Sequence, residues 1–237
     1  MARLDDANSR VVARGWANTD NQVTQVIVKR VPHFELVREV LCNLLAQAVD
    51  LPVPAPYVLD TQDSDWDGVS DRFVFATSYD GHSSLLARSR MNPVLRDELG
   101  RWSKLPAAIA FDAWIANEDR TASNLLFAGR RGFLLIDHGD ALPNRIREAT
   151  QVPNGLAKHF VATHSGTSPF ELADRVKAAA VSFGHVNFTQ LKTAALLGNW
   201  EREHLFDPCV DLLTARLNRL PELIEGEFRL GQGQLLA

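Results

Sequence analysis

The stretch from Phe111 to Leu142 constrains the fold more than any other part of this sequence. It starts with the end of an apolar helix and runs through a polar loop into two short strand-like segments, Leu125–Ala128 and Phe133–Ile136. The residues between them, Gly129–Gly132, have the glycines of a turn, so the two strands are predicted to form a hairpin. A hairpin brings its open ends together, and the residues flanking this one are therefore predicted to lie side by side.

Three polar residues stand at the open end of the predicted hairpin. Asp119 precedes the first strand, Asn124 follows five residues later, and Asp137 comes directly after the second strand. Carboxylate and amide oxygens suit Mg²⁺, which Asn124 and Asp137 can bind. Asp119 can accept the proton of a hydroxyl group. This spacing is typical of the catalytic loop (119–124) and metal loop (137–139) of a protein kinase.

The N-terminal part of the chain supplies a candidate cation and a partner for it. Val11–Ala17 and Val23–Arg30 are predicted strands, and Lys29 lies at the end of the second, where it can reach phosphates. Phe34–Val49 has the period of a helix, and Glu39 stands beside its apolar stripe. An exposed Lys29–Glu39 pair contributes only about 0–1 kcal/mol, so we expect it to position Lys29 rather than to stabilise the fold.

The order of the elements predicts the fold class. Strands come first and helices follow, which indicates an α+β, two-lobed, protein-kinase-like fold. Residues 1–80 are predicted to form a small antiparallel sheet lobe with one helix, and residues 81–237 a larger helical lobe. Stretch 143–167 has no clear period and is predicted to be a loop. The other predicted elements are strands Tyr57–Asp60 and Arg72–Ser78, helices Leu95–Gly100, Lys104–Asn117, Pro169–Phe183, Asn187–Leu197 and Asp207–Leu220, a connection over 200–206, and a frayed tail from Gly226.

Composition excludes several classes of function. The formal net charge of −4 argues against a broad nucleic-acid-binding face. No apolar run approaches the roughly 20 residues of a membrane span, and the N-terminus lacks the apolar region of a secretory signal. Cys42 and Cys209 both fall in apolar helical patterns, which predicts core thiols rather than a disulfide. We therefore expect a cytoplasmic protein without a membrane partner.

Each candidate residue also has a purely structural interpretation. Lys29 alone is a charged strand end, Glu39 a solvated helix edge, and Asp137 a turn residue. Asn124 alone is a cap at the entry of a strand. The combination of all four with Asp119, in this order, favours the kinase interpretation.

Two segments resemble a known family. Asp119-Arg120-x-x-x-Asn124-Leu125-Leu126 followed by Leu135-Ile136-Asp137-His138-Gly139 resembles the HipA-like kinases and, more distantly, phosphoinositide kinases. The helix from Glu39 to Ala46, followed by Leu51-Pro52-Val53-Pro54, is similar to the same family. The resemblance covers roughly residues 23–142.

The resemblance implies a two-lobed, ATP- and Mg²⁺-dependent kinase that phosphorylates serine or threonine. It also implies a protein substrate and an antitoxin-like partner, because several members are toxins of toxin–antitoxin pairs. Carried over, Lys29 holds the phosphates and Glu39 pairs with it. Asp119 is the catalytic acid/base, and Asn124 and Asp137 are the metal ligands.

Three departures leave alternatives open. Thr121 stands where many relatives have a histidine, and the segment that would cover the phosphates has only one glycine, Gly15. The chain is also shorter than full-length HipA proteins. A nucleotide-binding pseudokinase that regulates a partner is one alternative, and a small-molecule or lipid kinase is another. The sequence does not specify the acceptor, which depends on stretch 143–167.

Overall fold

Most strands lie in the N-terminal part of the chain and most helices in the C-terminal part, as the sequence predicts. The computed structural model describes residues 2–4, 12–19, 22–61, 72–79, 81–84, 94–196 and 203–233. In chain order the elements are β1 (Ala2–Leu4), β2 (Val12–Thr19), β3 (Gln22–Lys29), α1 (His33–Ala48), β4 (Pro56–Asp60), β5 (Phe73–Ser78), β6 (Ser83–Ser84), α2 (Val94–Arg101), α3 (Leu105–Trp114), β7 (Leu125–Phe127), β8 (Phe133–Leu135), α4 (Gly155–Thr163), α5 (Pro169–Ala180), α6 (Phe188–Leu196) and α7 (Glu203–Gly233).

The first sheet has five antiparallel strands in the order β1-β2-β3-β5-β4. β2 and β3 pair from Val12 opposite Lys29 to Thr19 opposite Gln22. β3 also pairs with β5, so Lys29 lies opposite Phe75 on its other side. Because hydrogen-bonded strands flank it on both sides, the backbone at Lys29 is fixed. The strands predicted in this region are confirmed, with small shifts at their ends.

Helix α1 packs against the sheet and against the C-terminal helices α6 and α7. The predicted apolar stripe is buried, and Leu36, Leu41 and Leu45 are at most 1% exposed. The middle of the helix is also buried on its polar side, because Glu39 is 1% exposed. The expectation that Glu39 forms an exposed pair is therefore wrong: α1 is covered by the sheet on one side and by the helices on the other.

A second, three-stranded sheet holds the predicted hairpin, with strand order β6-β7-β8. Leu125 lies opposite Leu135 and Phe127 opposite Phe133, which confirms the predicted pairing. The turn takes positive φ angles of 61° at Gly129 and 77° at Gly132, a conformation that glycine adopts without strain. A side chain at Gly132 would also collide with the indole of Trp102.

Helix α3 lies at the centre of the helical part and supports the loop that follows it. It contacts α4, α5 and α7. Trp114 at its end is fully buried, stacks on Phe183 with ring centroids 5.3 Å apart, and donates its Nε1–H to Leu213 O at 2.8 Å. The apolar residues of α3 are buried on nearly all sides, as the sequence predicts, so its C-terminal end cannot shift without disturbing the core.

The prediction of an irregular loop over 143–167 is wrong in part, because α4 (Gly155–Thr163) forms within it. Asn154 caps this helix, and its Oδ1 accepts hydrogen bonds from the backbone N–H groups of Leu156 (3.1 Å) and Ala157 (3.0 Å). Pro153 and Gly155 at its start hide the short helical period in the sequence. The intrinsic helix propensity of such a short segment is too low to stabilise it alone. Burial of Phe160 and its neighbours against α3 supplies the stability of α4.

The prediction of separate elements at the C-terminus is also wrong. Residues predicted as a connection, a helix and a frayed tail form the single helix α7, which continues through Pro208 and Pro221. Proline costs a helix interior about 3 kcal/mol, but here tertiary burial outweighs that cost. The buried residues are Phe206, Leu213, Leu220, Leu223, Ile224 and Phe228. Residues 11, 197, 200–202 and 234–237 of the predicted elements lie outside the described residues.

One apolar core runs from α1 to α7 across the predicted boundary between residues 80 and 81. The division into domains 1–80 and 81–237 therefore stays a prediction. Cys42 and Cys209 are free thiols, and burial raises the pKa of both. Among the described residues, no helix has the length and apolar character to cross a membrane.

Candidate active site

Lys29 lies between two carboxylates at the end of β3. Its Nζ is 3.0 Å from Glu39 Oε1 and 2.8 Å from Asp137 Oδ1. Burial acts to lower the pKa of Lys29, but the charges and hydrogen bonds of the two carboxylates together outweigh it and raise the pKa. The amine therefore carries a positive charge where the sheet, α1 and the hairpin meet.

Glu39 uses both of its oxygens. Oε1 accepts from Lys29, and Oε2 accepts from the backbone N–H of His138 at 3.0 Å. A buried carboxylate is stable only when it is paired and hydrogen-bonded in this way. Glu39 thus fixes the direction of Lys29 and also the backbone directly after Asp137.

Asp137 stands just past the end of β8 in a left-handed conformation, with φ of 62°. This conformation is uncommon for residues other than glycine and costs on the order of 1–3 kcal/mol. Its side chain contacts Lys29 through Oδ1 and is 26% exposed. Such local strain is typical of residues whose direction matters for function.

The loop from Asp119 to Asn124 is closed by its own side chains. Asn124 is 5% exposed, and its Nδ2 donates to Asp119 O at 2.6 Å and to Asp119 Oδ2 at 3.1 Å. Asn124 Oδ1 accepts from the hydroxyl of Ser123 at 3.1 Å. The hydroxyl of Thr121 lies 2.6 Å from that of Ser123. Asp119 itself is exposed, so its carboxylate is accessible to an incoming group.

Arg120 connects this loop to the end of the hairpin. Its side chain is fully buried and forms an ion pair with Asp112 of α3, with Nε 3.0 Å from Asp112 Oδ2. Nη1 donates to Asn124 O at 3.1 Å and to Ile136 O at 2.5 Å. Burial raises the pKa of Asp112, although the charge of Arg120 opposes that shift.

His138, directly after Asp137, is a buried packing residue. Burial first, and then the charges of Arg120 and Lys29, lower its pKa well below the ordinary value of 6.5. Its Nδ1 lies 3.3 Å from Asn43 Nδ2, and its ring packs edge-on against Phe111. His138 Nε2 is buried and has no hydrogen-bond partner among the described residues.

A cleft of about 250 Å³ opens between the first sheet and the hairpin. Lys29 and Asp137 line it. Its walls are otherwise mostly apolar and include Ile27, Phe75, Leu126, Leu134 and Ile136. The cleft can therefore accept a flat apolar group next to a cation and a carboxylate.

The structure brings the five predicted site residues into two directly bonded groups. Lys29, Glu39 and Asp137 form the first, and Asp119 and Asn124 the second. The backbone joins the groups, because the N–H of Ile136 donates to Asn124 O at 3.1 Å.

The sequence analysis assigned no role to Asp112, Asn117, Asn43 or Gly155, nor to Arg120, although Arg120 stands in the motif that resembles the family. Asp112 had a visible signal, because a single acid in an otherwise apolar helix needs a buried cation. Asn117 accepts from the N–H of Asp119 through its Oδ1 at 3.1 Å. A side chain at Gly155 would collide with the backbone oxygen of Arg120, a contact that no local pattern reveals.

The fold and site define a class: a kinase-like fold in which a cation and a carboxylate, Lys29 and Asp137, line one cleft. The sequence profile of HipA-like kinases matches residues 17–192. This chain belongs to the HipA-like kinase family. No curated protein matches the sequence.

Two solved structures share the fold at low sequence identity. One is the proinflammatory kinase CtkA of Helicobacter pylori, with a TM-score of 0.56 and 11% identity over 95% of this chain and 93% of that one. The other is HipA of Shewanella oneidensis, solved with HipB and operator DNA, with a TM-score of 0.54 and 12% identity. That match covers 96% of this chain and 67% of HipA.

Proposed function

We propose that this HipA-like kinase uses ATP and Mg²⁺ to phosphorylate a serine or threonine hydroxyl, on a protein substrate or on its own chain. The observation that carries the proposal is the position of Lys29 Nζ, within 3.0 Å of both Glu39 and Asp137. A cation held in this way between a helix and a metal-binding loop is the arrangement that phosphoryl transfer requires.

The cleft residues have distinct roles in nucleotide binding. The apolar walls contact the adenine ring, and Lys29 binds phosphate oxygens. Glu39 keeps Lys29 directed into the cleft, since its carboxylate is also held by the N–H of His138. Because Lys29 is flexible and positively charged, it can exchange part of its contact with Asp137 for a phosphate.

The donor set fits Mg²⁺. Within the described ranges, no group of three or more His, Cys, Asp or Glu side chains is placed to hold a metal. Mg²⁺ is commonly bound by one or two carboxylates together with substrate phosphates, and Asp137 and Asn124 supply suitable oxygens. When bound, the metal neutralises the negative charge that develops on the transferred phosphoryl group.

Asp119 acts on the acceptor. It is exposed at the edge of the loop. Two hydrogen bonds hold it in place: its backbone N–H donates to Asn117 Oδ1, and its Oδ2 accepts from Asn124 Nδ2. From this position it orients the acceptor hydroxyl and takes its proton as the acceptor oxygen bonds to the γ-phosphorus, while the bond from that phosphorus to the bridging oxygen breaks and ADP leaves. The serine or threonine preference rests on the family resemblance.

Mass spectrometry tests the proposal directly. The purified protein is incubated with ATP and Mg²⁺, with and without candidate protein substrates, and scanned for added phosphate. The Asp119→Ala and Asp137→Ala variants should each abolish the transfer. Asp97→Ala, which removes an exposed acid of α2, is the matched control and should retain it. Absence of phosphate on any acceptor, together with ATP-dependent thermal stabilisation, would instead support the pseudokinase.

We also propose an antitoxin-like partner and a cytoplasmic location. The Shewanella relative was solved with HipB, and the free cysteines of this chain suit a reducing compartment. Expression of the wild-type chain should then arrest bacterial growth, and Asp137→Ala should relieve the arrest. Equal growth arrest by both forms would contradict a toxin activity that depends on phosphoryl transfer.

A further inference from the structure

The proposed function places the metal ligands on two separate segments. Asn124 ends the loop before β7, and Asp137 follows β8. Metal sites tolerate errors of only a few tenths of an ångström, so something must fix the distance between these segments. One backbone hydrogen bond, from Ile136 N–H to Asn124 O, does so directly.

The guanidinium of Arg120 adds a second and stronger connection. Nη1 donates to Asn124 O at 3.1 Å and to Ile136 O at 2.5 Å. These carbonyls belong to one proposed ligand and to the residue directly before the other. One rigid group therefore contacts both segments on the side away from solvent, since Arg120 is 2% exposed.

Asp112 fixes the guanidinium itself. Asp112 Oδ2 accepts from Nε at 3.0 Å, and Oδ1 accepts from Nη2 at 3.1 Å, which is a bidentate pair. Asp112 lies on α3, whose apolar residues are buried in the core. Asn117 Nδ2 also approaches Asp112 Oδ1 at 3.4 Å. Asp112 and Arg120 thus connect α3 to the two segments that carry the proposed ligands.

We propose that Arg120, held by Asp112, is a positioning residue that sets the spacing between Asn124 and Asp137 for metal binding. The inference rests on the proposed function. Lysine cannot replace arginine here, because an ammonium group has no planar fork that reaches a carboxylate and two carbonyls at once. Arg120→Lys therefore keeps the charge and removes the connection.

The chain offers a matched control in Arg216, a second buried arginine. Its guanidinium also donates to backbone carbonyls, at 2.8 Å to Trp114 O and 3.0 Å to Thr150 O. Burial lowers its pKa to about 10. Arg216 also donates to Ala113 O, so it holds the end of α3, but its described contacts do not include Asn124 or Ile136. Arg216→Lys therefore disturbs a similar buried network and leaves the pair of Asp112 and Arg120 intact.

Electron paramagnetic resonance with Mn²⁺ in place of Mg²⁺ tests the inference. Free Mn²⁺ is titrated against each protein with a non-hydrolysable ATP analogue. We expect Arg120→Lys to weaken Mn²⁺ affinity about 10- to 100-fold, the range typical of residues behind metal ligands. Arg216→Lys should keep the Mn²⁺ affinity of wild type, even if its thermal midpoint falls as much as that of Arg120→Lys.

The outcomes separate the two proposals. If Arg120→Lys folds and its Mn²⁺ affinity stays within about twofold of wild type, the positioning role is wrong. The proposed function is then unaffected, because the wild-type protein still binds Mn²⁺. An equal loss in Arg216→Lys also overturns the positioning role, since the effect would then be general destabilisation. If Arg120→Lys lacks a cooperative thermal transition, Asp112→Asn decides: a weaker Mn²⁺ affinity supports the role, and an unchanged one overturns it. If the wild-type protein does not bind Mn²⁺, or if Asp137→Ala binds it as tightly as wild type, the proposed function is wrong and this inference is wrong with it.

Discussion

Two ion pairs beside the hairpin differ in exposure and in geometry. Lys29 meets Glu39 and Asp137 through a single nitrogen at the edge of an open cleft, and Asp137 is 26% exposed. The side chains of Arg120 and Asp112 are both 0% exposed and bond through two nitrogens of Arg120, while its third nitrogen donates to the backbone. The first pair can rearrange when an anion enters the cleft. The second cannot move without leaving buried polar groups unpaired.

The difference indicates a division of roles around one site. A flexible ammonium suits a contact that must form with a ligand, whereas a planar guanidinium suits a contact that must stay fixed. Four substitutions, taken from the largest expected effect to the smallest, test this comparison.

Asp112→Ala should have the largest effect on stability. It leaves the guanidinium of Arg120 buried without its carboxylate, a change that typically costs about 3–5 kcal/mol. Chemical denaturation should show a lower free energy of unfolding by this amount. Asp97→Ala, the exposed acid of α2, should change it by less than about 0.5 kcal/mol. A loss below about 1 kcal/mol in Asp112→Ala would contradict the assignment of the pair as fixed and buried.

Lys29→Met should destabilise the fold less than Asp112→Ala does, but it should abolish phosphoryl transfer. Glu39 loses one partner but keeps the N–H of His138, so we expect a loss of about 1–3 kcal/mol by denaturation. Adding Glu39→Gln should restore part of that loss, because a neutral amide needs no cation. Phosphoryl transfer should be absent in both variants. A double mutant less stable than Lys29→Met would show that Glu39 is stabilised mainly by other groups.

His138 should make stability depend on pH. Its pKa is lowered in the folded protein, so below about pH 6.5 the unfolded chain binds a proton that the folded chain does not. The folded state should lose stability as the pH falls, by up to about 1.4 kcal/mol per pH unit. His138→Leu should flatten this slope in denaturation curves between about pH 7 and 5.5. His159→Leu is the control: burial also lowers the pKa of His159, but it is only half-buried, so the slope should change less.

Asp60→Asn should have the smallest effect and gives the baseline for an exposed pair. Asp60 Oδ2 lies 2.9 Å from Arg72 Nη2 at the edge of the first sheet, and both side chains are more than 40% exposed. Such pairs contribute about 0–1 kcal/mol, and salt should screen the contribution further. If Asp60→Asn lowers the free energy of unfolding more than Lys29→Met does, exposure is not the factor that separates these pairs.

Local patterns predict the parts of the fold that local forces decide. The hairpin at Gly129–Gly132 and the helix α1 are confirmed, because turn glycines and an apolar period act over a few residues. Helix α4 and the full length of α7 were missed. Both run against local signals, Pro153 in one case and Pro221 in the other, and both are stabilised by burial against distant residues.

The sequence by itself determined the order of the groups proposed to carry the chemistry, which is typical of a kinase: Lys29, Glu39, Asp119, Asn124 and Asp137. Only the tertiary structure decided how those groups are held. The bonds of Arg120 to Asp112 and to two carbonyls, and the burial of Glu39, join residues far apart in the chain. The physical reason is that short-range periodicity records which face of an element is apolar, whereas a hydrogen bond between distant segments forms only once the core has packed.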